Sequence, residues 1–182
     1  MLKTIGIIVV IIAVLVAGVL AYAATKPDTF RVQRTLRINA PPETIFALIN
    51  DFDRWRNWSP YEKKDPAMTR SRSGAPTGKG AVYAWEGNSQ VGKGRMEIME
   101  ASPPSKVAIK LDFEKPFTAH NTAEFTIVPQ GEATNVTWAM YGPNLYIGKV
   151  MSVFMNMDTM IGRDFEVGLA NLKTLAEKQA AN

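Results

Sequence analysis

The chain has 182 residues, a formal charge of +4, no cysteine and a single histidine, His120. That length suits one domain with an appendage. The composition excludes disulfide scaffolds, thiolate metal centres and lipidation through cysteine, and the modest positive charge is not that of a polybasic nucleic-acid binder. In chain order, the first element is an uncharged run from Thr4 to Ala24, TIGIIVVIIAVLVAGVLAYAA. As a helix it would extend roughly 31 Å at 1.5 Å per residue, against a bilayer core of about 30 Å. It is therefore expected to be a transmembrane anchor over residues 1–25, followed by a linker over 26–29 and a globular domain over 30–180. The rival reading is a cleaved signal peptide, for which Ala21-Tyr22-Ala23 supplies a small-x-small site; the apolar run is longer than a signal core requires. Lys26, Arg31, Arg34 and Arg37 follow the run while only Lys3 precedes it, so the positive-inside rule leans toward a single-pass cell-membrane protein with a cytoplasmic domain.

A strand follows the linker. Phe30, Val32, Leu36 and Ile38 share one parity, and Arg34 interrupts that apolar set. Pro41-Pro42-Glu43 then opens a helix carrying Ile45, Phe46, Leu48 and Ile49, with a short second turn through Trp55 and Trp58 that Ser59-Pro60 stops. From Met68 to about Asn144 the pattern is strand after strand, punctuated by glycine and proline turns. After Leu145 the apolar period changes from two to 3.6. Ile147, Val150, Met151, Phe154, Ile161, Phe165, Leu169, Leu172 and Leu175 fall on one face of a long helix, broken near Asn156 to Thr159. Strands joined by tight turns pair antiparallel, and this helix is the only element long enough to cover the sheet. The expected fold is α+β, a curved antiparallel sheet gripping a C-terminal helix.

Several motifs carry a resemblance: IxAPPExIFxLIxDFxxWxxWSPYExxDP, GxGAxYxWEGN, VGxGxMEIxExxPP, LDFxxPF and DFExGLANLKxLAE. With them the chain resembles bacterial membrane-anchored members of the START-like (Bet v1-like) superfamily, the SRPBCC group labelled polyketide cyclase/dehydratase, over roughly Phe30 to Lys178. The resemblance implies a helix-grip fold: about seven strands, two small helices, and a deep apolar cavity beneath the long final helix. It also implies hydrophobic ligands, and catalysis in a minority of members.

The site candidates follow from an apolar cavity with a few polar groups. Tyr83, Trp85, Phe113, Phe125, Trp138 and Met140 are expected to line it from the sheet, and Met151 and Phe154 from the helix; in any fold many of these would be plain core. Trp55 and Trp58 either rim the pocket entrance, together with Tyr61, or anchor a helix end on the sheet. Asn121, Tyr83, Glu86 and Asp158 are the polar groups. Asp158 falls on the apolar helix face, where it would cap the second half of a broken helix, pair with Arg34 or Arg95, or project into the cavity. Asp158 and Glu86 are the weak acid/base candidates. His120 falls on the opposite parity from Asn121 and Phe125, on the outer face. The loops Gly74–Gly80 and Gly92–Gly94 lack the helix start that phosphate binding uses and read as turns. No metal site, cofactor or nucleic-acid partner is expected. Three functions stay open: a membrane-anchored binding or carrier domain for a hydrophobic small molecule or lipid; a cyclase-, dehydratase- or hydrolase-type enzyme; and a scaffold filled by its own side chains.

Overall fold

A computed structural model describes residues 2–181. The apolar N-terminal run is a continuous helix, α1 (Leu2–Ala24). Strand β1 (Thr29–Ile38) leads into α2 (Pro42–Ile49), a 3-10 turn over Arg54–Asn57, and α3 (Pro60–Lys64). Six strands follow: β2 (Thr69–Gly74), β3 (Ala81–Glu86), β4 (Lys93–Ser102), β5 (Lys106–Lys115), β6 (Ala119–Gln130) and β7 (Ala133–Pro143). The chain closes with α4 (Tyr146–Phe154) and α5 (Met157–Ala180).

All seven strands form one antiparallel sheet in the order β1-β7-β6-β5-β4-β3-β2. The short helices carry the chain from β1 to the far edge. Tight turns then fold it back strand by strand until β7 meets β1, with Arg34 opposite Trp138 and Phe30 opposite Gly142. The turns use glycine where the backbone requires it: Gly131 between β6 and β7 has φ 63°, a conformation open to glycine at no steric cost. The expected alternation holds on the inner face. Val107 and Ile109 of β5, and Ala123, Phe125 and Ile127 of β6, are buried. Helix α5 lies on that face, burying Phe165, Leu169, Leu172 and Ala176. This is the helix-grip arrangement.

The C-terminal helix is two helices. Met155 is extended (φ −131°, ψ 135°), and the Asn156 side chain caps α5 by accepting the Thr159 N–H at 3.0 Å. Asparagine is among the best residues at this position. Asp158 is therefore a first-turn residue rather than the cap. The break also redirects α4. Helix α5 packs on β1 and α2, whereas α4 packs along α1. Met151 and Phe154 consequently do not roof the sheet, and Phe154 is 71% exposed.

The interior beneath α5 is filled where a hollow was expected. Trp58 and Phe125 are fully buried, and Trp55, Trp138 and Phe165 nearly so. Trp138 stacks on Phe165 at 4.2 Å and 10°, and on Phe125 at 5.0 Å. Trp58 meets Phe125 and Trp138 edge-on at 5.9 and 5.7 Å. Trp55 and Trp58 thus belong to the core and do not rim an entrance. Each donates its indole N–H to a carbonyl of the preceding helix, Trp55 to Ile49 at 2.9 Å and Trp58 to Leu48 at 3.1 Å, so neither burial strands a donor. Truncating a buried tryptophan removes transfer energy and leaves a cavity. Trp58→Ala is expected to lower unfolding free energy by about 3–5 kcal/mol, measured by urea titration.

Candidate functional site

The strands bring the polar and apolar candidates together in a row across the concave face. Leu111 pairs with Asn121 on one side and Met96 on the other; Met96 pairs with Tyr83, and Tyr83 with Arg72. On the next row, Phe113 pairs with both Ala119 and Gly94, and Gly94 with Trp85. This end of the face lies beside the start of β1 and the end of β7, where Phe30 faces Gly142. Its cover is thinner than at the aromatic stack. Phe30, Trp85 and Phe113 are only half-buried, while Leu111, Met96, Tyr83 and Met140 are buried beneath. Trp85 lies over Gly94, where a Cβ would come within 2.6 Å of its ring, and meets Phe113 edge-on at 5.8 Å. The Trp85 indole donates to the Val91 carbonyl at 2.9 Å.

Asn121 is the polar group on this floor. Its carboxamide folds over Gly142, where an added Cβ would lie 2.4 Å from Oδ1. Oδ1 is buried, and among the described residues nothing donates to it. The Trp138 Nε1 donor in the neighbouring stack is in the same condition. Burying an unmet acceptor costs about 1–3 kcal/mol, so this position favours any donor that can reach it.

The other polar candidates are committed elsewhere. The Tyr83 hydroxyl donates to Glu62 Oε1 at 2.5 Å, and the opposite oxygen of Glu62 accepts from Arg70 Nε at 2.7 Å. Burial, with this hydrogen bond to Glu62, pushes the Tyr83 phenol up, so it stays protonated. The triad ties α3 to the edge strand β2 and its neighbour β3. Sequence reading missed Glu62 and Arg70, although Arg70 and Arg72 share a strand parity that points both toward one side. Asp158 is 60% exposed and lies outside the concave floor. Its two carboxylate oxygens accept from Arg34 Nη1 and Nη2, each at 3.1 Å, and Arg34 Nε donates to Glu166 at 2.7 Å. Gly162 makes this possible, because a Cβ there would collide with the Arg34 guanidinium. The Arg34 hydrogen bonds hold the Asp158 carboxyl below its ordinary value. Glu86 is exposed, and a hydrogen bond from Lys115, with the Lys93 charge beside it, lowers its pKa. His120 is exposed beside Asp112 at 2.7 Å. Asp158 and Glu86 are thus exposed, ionised and ion-paired, which disfavours either as an acid/base group.

The family model described as polyketide cyclase / dehydrase and lipid transport matches residues 29–177. A comparison with curated protein sequences gave no match. Among solved structures, the chain is similar to the di-domain ARO/CYC StfQ from the steffimycin biosynthetic pathway, with a TM-score of 0.63 at 12% identity, covering 85% of this chain and 52% of that one. It is also similar to a protein from Thermobifida fusca (TM-score 0.59, 18% identity, 79% and 90% covered). A third is the Aha1 dimer from Colwellia psychrerythraea (0.57, 16%, 81% and 96%). At these identities the likeness is one of fold.

Two outcomes follow from the polar groups. Glu62→Gln leaves Arg70 without its counter-charge in a largely buried pair, and is expected to lower stability by about 3 kcal/mol, read from urea melts. The lowered Asp158 pKa contributes stability above the unfolded value of 3.8, and that contribution is lost as pH falls through the folded value. Asp158→Asn is therefore expected to lower Tm near neutral pH and to leave the variant and parent converging below about pH 4, checked by thermal melts across pH.

Proposed function

Because the chain belongs to the polyketide cyclase / dehydrase and lipid transport family, we propose that it binds a hydrophobic small molecule or lipid on the concave sheet face, held at a membrane by α1. The observation that carries this reading is the unmet Asn121 acceptor on a floor of Leu111 and Met140, beside the half-buried Phe30, Trp85 and Phe113. A guest there would bury apolar surface, worth about 25 cal/mol per Å² before the costs of binding. A hydroxyl or amide on the guest would donate to Asn121 and fix its orientation. The aromatic stack leaves the guest no space under the middle of α5, so it lies toward the start of β1.

Binding is better supported than turnover. The two acid/base candidates, Asp158 and Glu86, are exposed and ion-paired, and the Tyr83 phenol is engaged by Glu62. A purely structural role draws support from the filled interior, and the ligand test separates it from binding.

Helix α1 is long and apolar enough to cross a bilayer, and its apolar side chains are exposed along its length. As an anchor it would hold the open end of the sheet near the phase into which hydrophobic ligands partition. The cationic residues that follow it favour a cytoplasmic domain.

The test is mass spectrometry of small molecules retained by the full chain in lipid nanodiscs, followed by thermal melts with each candidate. A bound ligand must raise Tm. Asn121→Leu is expected to weaken donor-bearing ligands about tenfold, the value of 1.4 kcal/mol, and to leave donor-free ligands unaffected. If no hydrophobic molecule is retained and none raises Tm, the scaffold role stands instead.

A further inference from the structure

Helix α4 exposes three of its large apolar residues and buries its one cation. Its polar Lys149 is buried, 8% exposed, and donates to Asp28 at 2.6 Å. Of its apolar residues, Tyr146, Ile147 and Phe154 are exposed and Val150, Met151 and Val153 are half-buried; the exposed set continues into the flanking residues. Leu145, Tyr146, Ile147, Phe154, Met155 and Met160 are all exposed within sixteen residues of chain. Elsewhere in the globular part the exposed large apolar residues, Met99, Phe117, Val128 and Val167, stand singly in the sequence. Isolated exposed apolar residues are ordinary, whereas a cluster marks an interaction surface.

The position of α4 selects the partner. It packs along the C-terminal end of α1, and the Tyr146 hydroxyl donates to the Leu20 carbonyl at 2.9 Å. Leu20 lies four residues before the end of α1, which is roughly 6 Å along a helix axis. An interfacial helix buries its apolar face about 5–10 Å into the boundary between headgroups and acyl chains. Tyr22 lies two residues beyond Leu20 in the same last turns of α1, and Lys26 donates to the Tyr22 hydroxyl at 3.1 Å. Tyrosine with a neighbouring cation is the usual residue choice at the water edge of a span.

We propose that α4, with the Leu145–Met160 segment around it, lies in the interface of the leaflet where α1 ends, giving the domain a second attachment that sets its orientation on the bilayer. The proposal rests on α1 spanning the membrane. In this orientation the start of β1 and the end of β7, which flank the proposed binding end of the concave face, are turned toward the lipid. The Lys149–Asp28 pair joins α4 to the segment that links α1 with β1, so the two attachments move as one.

The chain lacks cysteine, which allows single labels. Full-length Ile147→Cys, Phe154→Cys, Leu15→Cys and Val128→Cys would each carry an environment-sensitive fluorophore in phosphatidylcholine vesicles containing brominated lipid. All four positions are exposed, so the substitutions spare the core. The expected result is strong quenching at 147 and 154 by lipids brominated near the headgroup, deep quenching at 15, and none at 128. Quenching at 15 with none at 147 and 154 overturns the proposal and leaves the anchor reading intact. Absence of quenching at 15 overturns both. If the labels at 147 and 154 are shielded from lipid only at high protein density and become water-exposed on dilution into excess lipid, the face is a contact between copies of the chain, and the proposal fails.

Discussion

The contact between Trp138 and Phe165 sets the depth at which α5 lies on the sheet. Their rings are nearly parallel at 4.2 Å, and such pairs contribute about 0.5–1.5 kcal/mol beyond the area they bury. Close approach is possible because Gly168 faces the same indole; a Cβ there would come within 2.6 Å of the ring. Around this contact the other aromatic residues arrange themselves. Phe125 supports Trp138 from the adjacent strand, Trp58 closes the side, and Asn171 of α5 donates to the Trp58 carbonyl at 3.0 Å. Arg34 then fixes the first turns of the helix, bonding both Asp158 and Glu166.

The stack divides the concave face. Under the middle of α5 the interior is occupied by the protein's own rings. Toward the β1 start, the floor residues are buried and the flanking aromatics only half-covered. The polar groups divide in the same way. Those that stabilise the fold, Glu62 with Tyr83 and Arg70, or Arg34 with Asp158, are fully engaged. Asn121 Oδ1 is not. Asn50 Oδ1 and Trp138 Nε1 share that condition, and Asn121 differs from Trp138 in lying beside half-buried Phe113 rather than within the stack.

Chain connectivity ties this half of the face to α1. Strand β1 begins five residues after α1 ends, and β7, its partner, ends three residues before α4 begins. The Asn144 side chain donates to the Pro27 carbonyl at 3.0 Å and its backbone N–H to the Asp28 carbonyl at 2.7 Å. The Phe30–Gly142 end of the sheet, the apolar N-terminal helix and α4 are therefore held together by short covalent links and local hydrogen bonds.

Period and punctuation in the sequence carried the architecture. Alternation in β5 and β6, the proline and glycine turns, and the switch to a 3.6-residue period after Leu145 are local properties, and each strand and the break near Asn156 could be read from them. In β1, β5 and β6 they also specified which parity faces inward, because side chains alternate strictly along a strand. What a given inner residue meets was beyond their reach. Periodicity put Phe154 and Asp158 on the same apolar stripe as Phe165, but one extended residue at Met155 turned α4 toward α1, and Asp158 came to rest outside, on Arg34. Trp55 and Trp58 were legible as inward-facing, while their place in the core depended on Phe125 and Trp138, far along the chain. The sequence by itself determined the order and type of the elements and the inner parity of the central strands, since these depend on neighbours a few residues away. Only the tertiary structure decided which interior space is filled and which polar group is left unmet, since both depend on volumes and partners that folding brings together from distant segments.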